Sequence, residues 1–578
     1  MRLGSLLLKI LLGSFFLSLI VPKIGLTNAD ISQRPQETSD ISFQHLLVKI
    51  KYRTIEELSE LINTLDVWEV HHDQLYIIAL VSQEKYNDLK KSGNLVEIDY
   101  QRTSQINSRI TYSHRQDSGI PGFSCYRTVE EAYIDLDKLA LDYPTLASII
   151  DIGDSWEKIA SNGSNGYDLN VIKITNSRIP GPKPILFLTA TIHAREYTTG
   201  ESAIRLAEYL IMNYDNSADI HWLLDYSEVH ILAIANPDGR KIAETGVYWR
   251  KNTDNDDGCA DSQKWGTDIN RNFSFKWSVT GSSYYPCDET YHGPSSASEP
   301  ETISIQSHAR SLFPDQRAID DFAPAPLTKR GILVSLHSYG ELVLWPWGWS
   351  SNQSPNHTQL KALGEKFAYQ LNYTPKQSSL LYPVSGSTDD WAYGELGLAS
   401  YTFELGTMFF QDCETFEGII YPTLQSTLVY AIKSARLPYL NPKGPDIIEI
   451  NLSKNEVLRG DPINVEAVAD ASLTYSNELQ GLISDVRYSL DSPSWITDTV
   501  SYPMESMDGE FDSQFERAIT SIDTTYLSIG RHILLVEGQI NSDTWGVPSA
   551  EFFTIIENWP PGSTLKVFLP QIFHYFTK

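Results

Sequence analysis

Basic residues are scarce in this chain of 578 residues: 45 Lys and Arg stand against 73 Asp and Glu, a formal net charge of −28. A nucleic-acid partner is excluded on that ground, because a phosphate backbone demands a basic surface. The acidic excess reads as a solvated shell that also draws basic peptides. Cysteine is rarer still, with four residues, a number that suits an oxidising compartment. There is no G-x-S-x-G elbow, so serine-hydrolase chemistry has no nucleophile, and neither a phosphate-cradling glycine loop nor an internal repeat occurs. Long apolar runs are missing except near the start. There Arg2, the run 6–21 and small residues ending at Thr27 and Ala29 have the layout of a secretory signal peptide over 1–29. A signal anchor fits less well, since Lys9 and Pro22 interrupt or end the run. No other stretch is long enough to span a bilayer, so the mature chain is expected to be secreted, extracellular and without a transmembrane segment.

What is present is a set of short apolar runs, at 185–191, 229–235, 332–336 and 399–403, separated by longer amphipathic segments. That is the pattern of buried parallel strands linked by helices. His193, Asn236, His337 and Glu404 each come just after such a run, and open α/β sheets collect ligands at the carboxyl ends of their strands. His193-Ala194-Arg195-Glu196 gives an imidazole and a carboxylate close in sequence, and His337 adds a second imidazole from a distant strand. Three protein ligands with a fourth position open is the arrangement of a catalytic zinc site. An HxxE pair alone would be as well read as a cap or salt bridge.

These residues resemble the zinc metallocarboxypeptidases of the carboxypeptidase A and B type. The likeness runs from about Tyr126 to about Leu440 and rests on HARE at 193–196, Trp249-Arg250-Lys251-Asn252, Asp268-Ile269-Asn270-Arg271-Asn272, His337-Ser338-Tyr339-Gly340, the segment 382–391 and Thr402-Phe403-Glu404-Leu405, in the family's order. The resemblance implies one Zn2+ held by His193, Glu196 and His337, Glu404 as general base, and Arg250 as the partner of the developing oxyanion. It implies Asp268 as the carboxylate that orients His193. Arg271 with Asn270 would clamp the substrate carboxylate, Tyr382 would close over it, and Arg195, Ser338 and Tyr339 would also touch the substrate. Cys259 and Cys287 would form a disulfide, as in the vertebrate enzymes, whereas sequence spacing leaves a Cys125–Cys413 pair open. The expected partners are peptides or proteins with a free C-terminus.

Counting from Tyr382, Asp389 falls where carboxypeptidase B-like enzymes are acidic and A-like enzymes apolar. This implies basic C-terminal residues or dual basic and apolar specificity. Asp390, beside Trp391, is read as a structural hydrogen-bonding residue, and the Trp345, Trp347 and Trp349 cluster as packing rather than a sugar platform. A metalloamidase or deacylase acting on cell-wall or modified peptides is the alternative on the same scaffold; it would have no need of the whole clamp.

The length suggests about three domains. Before the catalytic stretch at 122–442, residues 40–102 read as strand, helix, strand, helix, strand, with Thr54 and Glu57 as a capping box. This is a small ferredoxin-like α+β unit, either an inhibitory pro-segment or an accessory domain. The polar linker at 103–121, with Arg109 and Arg115, would be a site for activating cleavage. Ile448, Ile450 and Leu452, then Ile463, Val465, Ala467 and Ala469, alternate as half-buried strands do, so 443–557 is expected to form an immunoglobulin- or fibronectin-like β-sandwich. The tail 558–578 reads as an envelope-sorting segment or a docked strand, and envelope or matrix attachment would act through it. The overall class is α/β, with a mixed, largely parallel sheet flanked by helices between the two smaller units.

Overall fold

The structure is a computed structural model describing residues 45–109, 118–476, 481–541 and 544–558. The signal peptide at 1–29, Arg115, and the tail beyond its first residue lie outside the described residues.

The N-terminal unit runs β1 (His45–Lys51), α1 (Ile55–Thr64), β2 (Asp66–His71), β3 (Tyr76–Ser82), α2 (Gln83–Lys91), β4 (Val96–Ile98) and α3 (Tyr100–Arg109). Its sheet order, β2-β3-β1-β4, is antiparallel throughout, the β-α-β-β-α-β arrangement of ferredoxin-like units. Where the sequence pattern suggests one central strand there is a hairpin, because the run 66–82 reverses at Leu75, whose φ is 53°. Thr54 Oγ1 accepts from Glu57 N, but the Glu57 carboxylate reaches back to Arg53 N rather than to Thr54. Helix α3 occupies the start of the expected linker. Thr103 ties it to β1 by accepting from Leu47 N, and Ile106 packs against Leu47 and Ile78.

The central sheet has eight strands: β5 (Ala147–Asp154), β6 (Asp168–Ile174), β7 (Ile185–Thr189), β8 (Glu228–Leu232), β9 (Ile332–His337), β10 (Leu342–Trp345), β11 (Thr374–Gln377) and β12 (Ala399–Glu404). Their order is β11-β10-β12-β9-β7-β8-β6-β5. The four central strands, β12, β9, β7 and β8, pair in parallel, and β10 and β6 flank them antiparallel. Helices cover both faces, so both sets of side chains on a central strand are apolar: Leu186 and Leu188 enter one core and Phe187 the other. Both disulfides form, Cys125–Cys413 with Cα atoms 5.6 Å apart and Cys259–Cys287 at 5.0 Å.

Beyond residue 443 two sheets face each other. One has β13 (Asp446–Leu452), β15 (Ile463–Asp470), β19 (Phe515–Ile522) and β18 (Glu505–Ser506). The other has β14 (Glu456–Leu458), β22 (Ser549–Ile556), β20 (Gly530–Ile540), β16 (Ile483–Leu490) and β17 (Ser501–Pro503), with β21 (Thr544–Trp545) on β20. Val465, Ala467, Val486, Leu534, Val536, Phe553 and Ile555 fill the space between. Ile448 departs from the expected alternation. The register shifts between Ile447 and Glu449, so Ile447 is buried while Ile448 is half exposed, the effect of a β-bulge. The sandwich docks on the central α/β part through buried polar groups: Lys366 Nζ donates to Gly444 O at 2.9 Å and Asp446 Oδ2 at 2.8 Å, and Tyr430 Oη to Asp446 Oδ1 at 2.9 Å.

Candidate active site

His337 ends β9 and Glu404 ends β12, and the parallel register sets the two side by side. His193 lies in the turn after β7, and Glu196 is the N-cap of the helix Tyr197–Met212, where the helix dipole favours a carboxylate. The crossing of these chain segments brings three ligand atoms together. His193 Nδ1 is 2.7 Å from Glu196 Oε1, His337 Nδ1 is 3.2 Å from Glu196 Oε2, and the two Nδ1 atoms are 3.1 Å apart. The outer nitrogens are anchored elsewhere: His193 Nε2 to Asp268 Oδ1 at 3.1 Å and His337 Nε2 to Ser335 Oγ at 3.0 Å. With the proton on Nε2 donated to Asp268, His193 turns its Nδ1 lone pair inwards, the tautomer a metal ligand needs. Lone pairs of nitrogen and carboxylate oxygen, buried and converging, repel unless a cation lies between them. The donor set therefore fits a divalent metal with nitrogen and oxygen preference.

Asp268 organises the next layer. Its Oδ2 accepts from Arg250 Nε at 3.1 Å and Nη2 at 2.8 Å, and its Oδ1 from Asn270 N at 3.0 Å. Burial alone would raise its carboxyl; Arg250, Arg271 and His193 overcome this and hold it well below the usual carboxylate range. Arg250 Nη1 stays near the ligands, 3.4 Å from His193 Nδ1. Arg271 donates to Gly281 O and Asn270 O, both at 2.9 Å, which fixes its guanidinium on the cleft wall. Asn270 Oδ1 accepts from Thr388 N and Oγ1 at 2.9 Å. The loop carrying Tyr382 lies against this clamp. Gly386, with φ of 70°, sits where a Cβ would meet Arg271 O at 2.2 Å, so a side chain there would push the two apart. Glu404 faces the same cleft. Burial lifts its carboxyl to about 7, with His337 and Arg250 opposing and the Glu196 charge adding.

The cleft, a cavity of about 360 Å³, is lined by His193, Glu196, Arg250, Asn270, Arg271, Ser338, Tyr339, Tyr382 and Glu404, and on its open side by 67–71 of β2. Two expected substrate contacts are thereby engaged by the N-terminal unit. Arg195 forms a two-point pair with Asp66, both distances 2.7 Å. Tyr339 Oη donates to Glu69 Oε1 at 2.9 Å and accepts from Arg102 Nη2 at 2.9 Å. Trp68 packs against Tyr248, Tyr339 and Phe409. No local signal in 66–69 announces these contacts, whose partners are more than a hundred residues away.

Asn236 departs from expectation: it is buried behind the crevice. Its Nδ2 donates to Ile192 O at 3.2 Å and Lys251 O at 2.9 Å, tying the His193 turn to the Arg250 segment. Asp389 is not on the cleft surface around the ligands. It is buried in the first turn of the helix Thr388–Leu396, beside Ser378 and Ser387. Asp390 accepts from Gly348 N and Trp349 N, a structural role, and Trp345 and Trp347 are buried packing. Ser335 escaped the sequence reading, although its spacing of two from His337 puts both on one face of β9. A second acidic group converges at Asp254, Asp257 and Glu299; it offers carboxylates alone.

Fold and site together define a metal-dependent hydrolase of the α/β class. A family model described as zinc carboxypeptidase matches residues 132–423, and the chain belongs to that family. Carboxypeptidase A2 of Rattus norvegicus is 30% identical over 324 residues, 54% of this chain and 70% of the relative. Carboxypeptidase A2 of Mus musculus is 32% identical over 313 residues, 52% and 67% of the two chains. The solved carboxypeptidase A from Helicoverpa armigera has a similar fold, with a TM-score of 0.55 at 22% identity, covering 69% of this chain and 99% of that one. Thrombin activatable fibrinolysis inhibitor also shares the fold, with a TM-score of 0.52 at 21% identity, covering 68% and 99%. The protein is a metallocarboxypeptidase, a zinc-dependent hydrolase of peptide bonds.

Proposed function

We propose that the chain is a secreted carboxypeptidase that removes basic, or both basic and apolar, residues from the C-terminus of peptides, and that residues 45–109 are its inhibitory pro-segment. The observation that carries the reading is the convergence of the His193, Glu196 and His337 ligand atoms beside Glu404 and Arg271 in one cleft. His193, Glu196 and His337 would hold a zinc ion, which would supply Lewis acidity and lower the pKa of water at the open position to about 7. Glu404 takes a proton from the attacking water and returns it to the leaving amine. Arg250, held by Asp268, directs Nη1 at the oxyanion that develops on the scissile carbonyl. Arg271 and Asn270 pair with the terminal carboxylate, for which a planar guanidinium is the natural partner. Tyr382 closes over it, and Ser338, Tyr339 and Arg195 take the residues further back along the peptide.

The pro-segment reading is supported by Asp66 on Arg195 and Glu69 on Tyr339, which fill positions a peptide would need. The two disulfides suit an oxidising, extracellular site.

The test is release of C-terminal residues from peptides ending in Arg, Lys, Phe and Leu, each also as the amide, by the full chain before and after limited proteolysis, with and without chelator. Chelator-sensitive release from free acids only, enhanced by proteolysis, is expected. Equal attack on the amides would instead favour the amidase alternative.

A further inference from the structure

Asp389 carries a buried side-chain carboxylate, and among the described residues no cation lies beside it. It is 3% exposed, and among the described residues its carboxylate has no ion pair with lysine, arginine or histidine. Two hydroxyls hold it instead: Ser378 Oγ donates to Oδ2 at 2.8 Å and Ser387 Oγ to Oδ1 at 2.6 Å. Both serines are buried, and they bracket the stretch that presents Leu381 and Tyr382 to the cleft. Ser378 has a second acceptor in reach, the Trp345 carbonyl oxygen at 3.0 Å. A hydroxyl has one proton, so it serves the carboxylate or the carbonyl at any moment.

We infer that Ser378 and Ser387 set the breadth of the terminal-residue pocket: their hydroxyls satisfy Asp389 when an apolar side chain fills it, and Ser378 turns its proton to the Trp345 carbonyl when a Lys or Arg side chain arrives. The inference rests on the proposed preference for basic, or both basic and apolar, terminal residues, with Asp389 taken as the buried end of the pocket for the terminal side chain, beyond the residues that line the cleft around the ligands. A buried carboxylate without donors or a counter-ion is strongly disfavoured, so a pocket with Asp389 alone would reject apolar residues. Each carboxylate oxygen has two acceptor sites. One hydroxyl per oxygen therefore leaves room for an ammonium or guanidinium as well. Ser387 has the carboxylate as its acceptor in both states; Ser378 is the exchangeable partner because Trp345 offers its proton another place. Both are positioning residues that act through Asp389.

The experiment measures kcat and KM of the full chain, intact and after limited proteolysis, on matched peptides ending in Arg, Lys, Leu and Phe. The variants are Ser378→Ala, Ser387→Ala, Ser378→Thr, Ser387→Thr and Asp389→Asn. Each Ser→Ala change is expected to lower kcat/KM for Leu and Phe about tenfold relative to Arg and Lys, chiefly through KM, since a hydrogen bond to a charged group is worth roughly that factor. Threonine, which keeps the hydroxyl, should restore the parent ratio. Asp389→Asn should abolish the advantage of basic over apolar residues. If Asp389→Asn does so but both alanine variants keep the parent ratio, the serine inference is overturned and the Asp389 reading stands. If Asp389→Asn leaves the ratio unchanged, the reading beneath it falls. A parent protein that releases basic residues alone also overturns the inference.

Discussion

At the scale of single residues, the proposed chemistry depends on one carboxylate set among opposing influences. Burial raises Glu404 to about 7, and a cation at the neighbouring ligands would lower it again. The base form is the ionised one, so kcat/KM is expected to fall as pH drops through the Glu404 value, with an acid limb below pH 7. Glu404→Gln removes the proton acceptor while keeping the shape, and kcat should fall by about 10²–10⁴-fold, the usual contribution of general acid–base catalysis. KM should change little. Steady-state kinetics across pH would check both, and an unchanged acid limb in the residual activity of the variant would assign that limb to another group. His193, Glu196, His337 and Glu404 were legible because each follows an apolar run and matches a motif. Ser378 and Ser387 were not, since a serine's partner depends on where the chain folds back.

Among the elements, β2 lines the cleft with residues 67–71, and the proposed inhibition acts through it. Its Asp66 carboxyl would rise on burial, but Arg195 holds it below the usual carboxylate range. Its folded value is thus depressed, and the pair persists through neutral pH and is lost only in acid, as pH falls through that depressed value. Asp66→Ala leaves Arg195 free for substrate, so the intact chain should gain activity on peptides while the proteolysed form is unaffected. Progress curves for the two forms, run side by side, measure this; equal activity of intact parent and variant would mean that the contact does not hold the cleft closed. The hairpin β2–β3 shows why sequence reading stops short. Its alternation was visible, but the reversal at Leu75 lacks the glycine or asparagine that usually marks such a turn.

At the scale of the whole molecule, the sandwich is packed as part of the catalytic body. Lys366, 5% exposed, has its ammonium against Gly444 and Asp446 of the later unit, and Arg436 stacks on Trp495 at 4.3 Å. Removing one partner of a buried ion pair leaves an uncompensated charge, which costs about 3–5 kcal/mol. Asp446→Ala is therefore expected to destabilise the catalytic part by roughly that amount, seen in urea denaturation followed through the loss of peptidase activity and of tryptophan fluorescence together. A loss of less than ~0.5 kcal/mol, typical of a surface change, would mean that the two parts are energetically independent.

The order of the parts, the buried strands and the ligand motifs are legible in the chain, because hydrophobic period and strand-end position are local properties. The sequence also carried enough to anticipate Cys259–Cys287, through resemblance. Packing is what brings Cys125 to Cys413, sets β2 along the cleft, lets Asn236 clamp the turn from behind and leaves Asp389 held by hydroxyls. Each of these depends on segments far apart in sequence meeting at distances of a few ångströms, and such meetings are settled by how the layers pack.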